Sequence, residues 1–234
     1  MISIIATYWQ AFLFSDGYGV TGLAMTLWLL SISCAIGFCL ALPLAIARNS
    51  RNPALWGPVW VYTFVFRGTP LYVQLLIVYT GLYSLDFVHQ SAPLNAFFRQ
   101  GINCTILAFA LNTGAYTTEI FAGAIRETSF GEVDAARSLG MSQAQMYRRI
   151  IIPAALRRAL PAYSNEVILM LHSTTLAFTA TVPDILKIAN DANSATYNSF
   201  AAYSVAALIY LCVSFALIFS FRKAEKRFLA FQMA

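Results

Sequence analysis

The chain has 234 residues, 59% of them hydrophobic and only 11% charged, with a formal net charge of +5. That is far too apolar for a soluble domain of average usage, and the basic residues gather at the ends of apolar runs instead of along one face, which excludes a nucleic-acid surface. Several runs approach the roughly 20 residues that cross about 30 Å of hydrocarbon as helix, and the alternation of a β-barrel is missing. The expectation is an all-α, multi-pass membrane protein with five transmembrane helices in a single domain, 1–234.

In chain order, 1–20 mix aromatics with Asp16 and Gly17 and read as an outer interfacial helix and turn. No Lys or Arg precedes Arg48, so the basic flank of a cleavable signal peptide is missing and no removal is expected. The first span is 21–47, with Pro43 near its end as a candidate kink. Residues 53–66 are aromatic and moderately apolar. Arg67-Gly68-Thr69-Pro70 then interrupts before 71–85 resumes as the second span, which places Arg67 at the inner interface. The alternative is one long span with Arg67 at mid-membrane, at a cost of about 3 kcal/mol unless it is paired. Residues 86–101 read as a polar loop in which His89 is solvated.

The third span, 104–125, carries Asn112, Tyr116 and Glu119 at helical spacing, a polar stripe that should avoid lipid. A polar island follows at 127–160. Ser129 with Glu132, and Ser142 with Gln145, each have the spacing of a capping box. Gly140 stands where the first short helix must stop, and Pro153 is expected to end the second. The fourth span, 161–182, is the most polar, with Asn165, Glu166, His172, Ser173 and Thr174. A short outer helix at 183–198 and a fifth span at 201–221 lead to a basic tail, 222–234. Cys34, Cys39, Cys104 and Cys212 fall in or beside spans without metal-ligand spacing and suit packing better than disulfides.

All Lys and Arg except Arg99 and Lys187 fall on one side of this layout, which sets the N-terminus outside and the C-terminus inside. Glu119 and Glu166 then share a depth, about 8 to 9 Å inside the inner boundary at 1.5 Å rise per residue. Carboxylates there must meet water, a cation or donors. One target is a solute's ammonium group; the other reading is a buttress through Asn112, Asn165, Tyr116, Arg67 or Arg126. His172 likewise serves either a solute pathway or helix packing. No Gly-x-Ser-x-Gly elbow, HExxH or phosphate-binding loop occurs, so the chain reads as no enzyme.

Asp134-Ala135-Ala136, Gly140 and Ile150-Ile151-Ile152-Pro153, at their spacing, resemble the EAA loop of ATP-binding-cassette importer permeases; Asp134 replaces a glutamate and Ile152 a leucine. Phe66 to Pro70 and the run Ala115 to Ile125 are similar to the polar amino-acid branch of that family. Tyr163 to Thr181 is similar to membrane subunits that carry histidine, lysine, arginine and ornithine, with His172 and Ser173 where other branches often have lysine and aspartate. The resemblance implies a permease of the bacterial inner membrane that moves such amino acids from periplasm to cytoplasm by alternating access. It implies ATPase-coupling residues Asp134, Ala135, Ala136, Gly140, Ile150 and Pro153, and a pathway past Asn112, Tyr116, Glu119, Glu166, His172, Ser173 and Thr174. The implied partners are a homologous permease in a heterodimer, two copies of a cassette ATPase that binds ATP-Mg, a soluble periplasmic amino-acid-binding protein and the lipid membrane; the chain itself takes no cofactor. Two alternatives stay open: a proton- or sodium-coupled secondary transporter with Glu119 and Glu166 as ion sites, and a non-transporting membrane assembly factor.

Overall fold

The computed structural model describes residues 2–229, which are helical nearly throughout. Of the expected tail, residues 230–234 lie outside the described residues. Among the described residues there is no strand, only two isolated bridges.

Helix α1 (Ile2–Leu13) leads into a turn built on Asp16, whose carboxylate accepts the Tyr18 and Gly19 amides; those donors hold the carboxyl below its usual range. Helix α2 (Gly22–Arg48) follows and stays continuous through Pro43. Asn52 caps α3 (Pro53–Gly68) by accepting the Ala54 amide, with Pro53 as the first helical residue. Pro70 then forces Thr69 into extended backbone, φ −117° and ψ 145°. The chain restarts as α4 (Leu71–Leu76) and a π-helical turn, Ile77–Gly81, bent by 104° from α3.

This elbow corrects the placement of Arg67. Helix α3 runs antiparallel to α7 (Gly101–Arg126), with Thr63 beside Glu119, the Phe66 carbonyl beside Asn112, and Arg67 over the Tyr116 ring. Tyr116 lies near the middle of the 26-residue α7, so Arg67 sits halfway along the bundle, not at its inner end. A charge at that depth is tolerated because the broken helix lines a cleft there. The 86–101 segment folds as two short helices, α5 (Asp86–Gln90) and α6 (Ala92–Phe98), not as a plain loop.

Helix α7 is the axis of packing, and its composition explains why its span is so polar. Thr105, Thr113, Thr117 and Thr118 are all fully buried, and Thr105 and Thr118 return their hydroxyls to carbonyls of their own helix. Helix α2 crosses it so closely that a Cβ on Gly37 would stand 2.6 Å from the Thr113 methyl and 3.1 Å from the Gly114 nitrogen. Small residues let the two backbones approach, as in helix pairs surrounded by lipid.

The island forms α8 (Phe130–Ser138), a turn, and α9 (Gln143–Met146). Ser142 and Gln145 make the full capping box; Ser129 accepts from the Glu132 amide, which is half of the other. Pro153 does not end a helix. Tyr147–Ile151 take a π-helical turn and the chain continues as α10 (Ile152–Ser173), with Pro153 at its second residue. The turn already breaks the i→i−4 ladder where proline offers no donor, so the helix passes. The helix expected from 161 therefore begins earlier, at Ile152, and ends in 3₁₀ geometry, Thr174–Ala180. Helix α11 (Ile185–Thr196) is capped by Asp184, which also accepts the Tyr210 hydroxyl. Asp184 is fully buried, and burial pushes its carboxyl up to about 6. The last helix, α12 (Ser199–Phe228), carries Arg222 to Arg227 as its own final turns.

Among the described residues, α2 and α12 are each long and apolar enough to cross a membrane, and α3 with α4 and its π turn passes as one bent unit. Three apolar centres hold the bundle. One joins α1, α11 and α12. A middle one gathers Leu29, Leu75, Phe109 and Met170. The third packs the island beneath α2 and α7 through Ala136, Met146 and Ile151.

Candidate functional site

The broken α3 leaves carbonyls that helix bonding cannot satisfy. Two side-chain amides answer them. Gln74 donates to the Phe66 and Thr69 carbonyls, and Asn112 donates to the Phe66 carbonyl at 3.1 Å and to the Gln74 carboxamide oxygen at 3.1 Å. The elbow so fixed opens a cleft of about 640 Å³ between α3, α7 and α10.

Of the residues expected on a pathway, Asn112, Tyr116, Glu166, His172 and Ser173 line this cleft together. Tyr116 holds the Arg67 guanidinium carbon 5.3 Å above its ring centroid, a cation–π contact, and its hydroxyl donates to the Arg67 carbonyl at 3.4 Å. Among the described residues no carboxylate forms an ion pair with Arg67. Glu166 is 7% exposed and accepts one hydroxyl, from Thr113 at 3.0 Å. The His172 ring Nε2 lies 3.2 Å from the Ser214 hydroxyl of α12, and Ser173 donates to the Leu169 carbonyl. Thr174 is not part of the cleft wall: it is fully buried and donates to the Leu171 carbonyl.

Glu119 is elsewhere. Arg48 donates to it at 2.8 Å and Thr63 at 2.9 Å, at the junction of α2, α3 and α7. Asn49 completes that junction, bonding the Ala45 and Ala122 carbonyls and accepting from Arg126. Thr113, which marks the level of Glu166, is six residues from Glu119 on α7, or about 9 Å. The two glutamates do not share a depth. The expectation placed the start of the fourth helix at Pro161, and the earlier start moves Glu166 deeper. Arg48 and Gln74 were not singled out in the sequence, and Arg67 was placed at the wrong level; an arginine inside an apolar run that ends in Gly-Thr-Pro is the signal that finds the cleft.

At the island, Gly140 has φ +72°, and the bonds from Gly140 N to the Arg137 carbonyl and from Met141 N to the Ala136 carbonyl form a Schellman stop. Asp134 and Ala135 face solvent, with Asp134 paired to Arg137 at 3.3 Å. Ala136 is 2% exposed against the bundle, so it supports α8 from behind instead of offering a docking surface. Ile150 is half-buried against the same centre, and Pro153 lies in the first turn of α10. Phe130 and Leu139 are more than four-fifths exposed on the outer side of α8, 88% and 82%. Large apolar side chains held this far into solvent mark an interaction surface. Arg158 ties the base together, donating to the Ala124 carbonyl and the Thr128 hydroxyl at 3.0 and 2.7 Å.

A family model described as the binding-protein-dependent transport system inner membrane component matches residues 35–229. The chain is 62% identical over 229 residues to the histidine/lysine/arginine/ornithine transport system permease protein HisM of Escherichia coli strain K12, covering 98% of this chain and 96% of that protein. It is 43% identical over 190 residues to the nopaline transport system permease protein NocM of Agrobacterium fabrum, covering 81% and 79%. A solved amino acid ABC transporter crystallised with histidines superposes with a TM-score of 0.75 at 32% identity, over 87% of this chain and 90% of that one. The inward-facing MetNI methionine transporter matches at a TM-score of 0.70 and 16% identity over 97% of both chains, a likeness of fold alone.

Proposed function

The chain belongs to the binding-protein-dependent transport system inner membrane components, and from that membership we propose that it is the permease subunit of an ATP-driven importer of polar, cationic amino acids: histidine, with lysine, arginine and ornithine. The end-to-end identity of 62% with a permease of that printed specificity carries the reading. The chain is a non-catalytic subunit, and ATP is hydrolysed by a separate one. In this reading 1–234 is one permease domain that crosses the bacterial inner membrane five times, as α2, the bent α3 and α4, α7, α10 and α12. The N-terminus is outside; the island 127–160 and the tail are cytoplasmic. A homologous permease completes a heterodimer, two cassette ATPases bind ATP-Mg, and a soluble periplasmic protein delivers the solute.

The cleft suits a zwitterion. Arg67 offers a cation to an α-carboxylate, and Glu166 an anion to an α-ammonium, in a setting where both interactions are stronger than in water. The Ser173 and Thr175 hydroxyls and the His172 ring stand at the rim, where other branches often place a lysine and an aspartate at 172 and 173. Access changes when the ATPases close on α8 and α9. Phe130, Asp134, Ala135 and Leu139 are the exposed contacts, and Ala136, Gly140, Ile150 and Pro153 transmit the push into α10. Discrete rearrangement is expected, because packed helices shift between arrangements instead of deforming smoothly.

The deciding experiment reconstitutes the chain with its partner permease and ATPase in vesicles and measures uptake of histidine, arginine and glutamine with the binding protein supplied. ATP-dependent uptake of histidine and arginine above glutamine is expected. Uptake driven by a proton or sodium gradient without nucleotide would overturn the reading.

A further inference from the structure

The helical ladder fails at the elbow for a reason written in the sequence. In an unbroken helix the Phe66 carbonyl would receive the amide of residue 70, four positions on, but residue 70 is proline and has no N–H. With Thr69 in extended backbone, its carbonyl stands outside the ladder as well. Two carbonyls without donors inside a bundle surrounded by lipid are costly unless something in the protein answers them.

The next helix carries the answer. Gln74 is the one side-chain amide between Leu71 and Leu85, and it is 7% exposed. Its nitrogen donates to the Phe66 carbonyl at 2.8 Å, the Thr69 carbonyl at 3.0 Å and the Thr69 hydroxyl at 2.8 Å, while its oxygen accepts from Asn112 of α7. The residues pinned in this way flank Arg67, whose own carbonyl accepts the Tyr116 hydroxyl. The backbone on both sides of Arg67 is therefore tied to α4 and α7, and the guanidinium swings from a fixed root over the Tyr116 ring. A long side chain loses freedom when it holds a carboxylate, and a fixed root leaves less to lose. Gln74 itself does not meet the solute: Arg67 to Leu71 and Asn112 line the cleft, and Gln74 stands behind them.

We propose that Gln74 is a positioning residue for solute recognition: by holding the broken end of α3 it aims Arg67 at the solute's α-carboxylate and sets how tightly that group is held. It acts on the part common to all α-amino acids, so it governs affinity for the class and leaves discrimination between side chains to the other walls of the cleft. The inference rests on the reading of Arg67 as the partner of the carboxylate.

The test measures equilibrium binding of labelled histidine and labelled arginine to the whole transporter in nanodiscs, permease pair with ATPase, for the wild type, Gln74→Leu, Arg67→Met and the double variant. Gln74→Leu is expected to weaken both solutes about ten-fold and by the same factor, the size of one misplaced charge-assisted bond, and to change neither once Arg67 is replaced by methionine. Gln74→Glu keeps the volume and the acceptor for Asn112 while removing donors, and should behave as Gln74→Leu does. Assembly with the ATPase, read by gel filtration, reports folding independently of solute. Equal weakening by Gln74→Leu with and without Arg67, wild-type affinity in Gln74→Leu, or failure of both Gln74 variants to assemble would each overturn the proposal. Wild-type affinity in Arg67→Met, or no binding by the wild type, refutes instead the reading on which it rests.

Discussion

Two polar regions stand about 9 Å apart along α7, and they handle charge in opposite ways. At the junction of α2, α3 and α7 every charge is answered: Glu119 receives Arg48 and Thr63, and Arg126 reaches Asn49. In the cleft above it, Arg67 has a ring face and no carboxylate, and Glu166 has one hydroxyl. A buried or half-buried ion pair mostly holds helices in register, whereas unpaired charge facing a cleft is costly and is kept where a ligand is to supply the partner. Two glutamates that look alike in the sequence therefore separate into one answered by an arginine and one answered by a single hydroxyl, and under the proposed function only the second faces the solute.

The largest expected effect comes from the cleft. Glu166→Gln keeps the Thr113 hydroxyl bond and the shape, so the protein should insert and assemble normally. Loss of one charge-assisted contact of about 2 to 3 kcal/mol lowers uptake roughly 100-fold in reconstituted vesicles. Wild-type uptake by this variant would erase the distinction between the two regions. Next is the lever beneath the junction. Gly140→Asp imposes a side chain at φ +72°, at a cost of about 1 to 2 kcal/mol, with open space around the new Cβ. Insertion should persist, and uptake should fall about ten-fold relative to ATP hydrolysis; unchanged uptake would show that the Gly140 turn is not a mechanical part.

Glu119→Gln sharpens the contrast from the other side. It should lower stability in detergent by about 2 kcal/mol while each folded molecule still transports. Adding Arg48→Met should restore part of that loss, since the stranded cation is its main cause. A transport defect that outlasts the restored stability would place Glu119 with Glu166. The smallest effect belongs to Asp184. Its carboxyl is raised to about 6, above the unfolded value, so its contribution is fully present below the unfolded pKa and is lost as pH rises through the folded one. From about pH 4 to pH 7 the wild type should lose more thermal stability than Asp184→Asn, which retains a capping side chain. Parallel pH curves for the two would show that Asp184 is not the titrating group.

What the sequence made legible was local. The Ser142 capping box, the Gly140 stop, α7 and the start of α12 follow from a few adjacent residues, and all stand as expected. What it hid was depth. The interface is the cheaper place for Arg67 because an unpaired charge in hydrocarbon is costly, and the cleft that lowers the cost exists only once α3, α7 and α10 are assembled. Pro153 reads as a terminator because the rule assumes an unbroken α ladder, and nothing in Tyr147–Ile151 announces a π turn. That error shortened α10, and so brought Glu166 level with Glu119. Ala136 enters the coupling residues through the resemblance of its motif, and which side of α8 it takes, here against the bundle, is a matter of packing that the motif does not carry.

The uninterrupted path through Pro153 gives the molecule one long shaft. From Gln143 at the foot to His172 on the cleft wall, the backbone runs about 45 Å at 1.5 Å per residue, crossed by the π turn at Tyr147–Ile151 and by Pro161 inside α10. Those two breaks in the ladder are the places where a twist applied at the foot would bend the shaft or pass along it. Under the proposed function, the end that would meet the motor and the end that would meet the cargo are two stretches of one connected backbone.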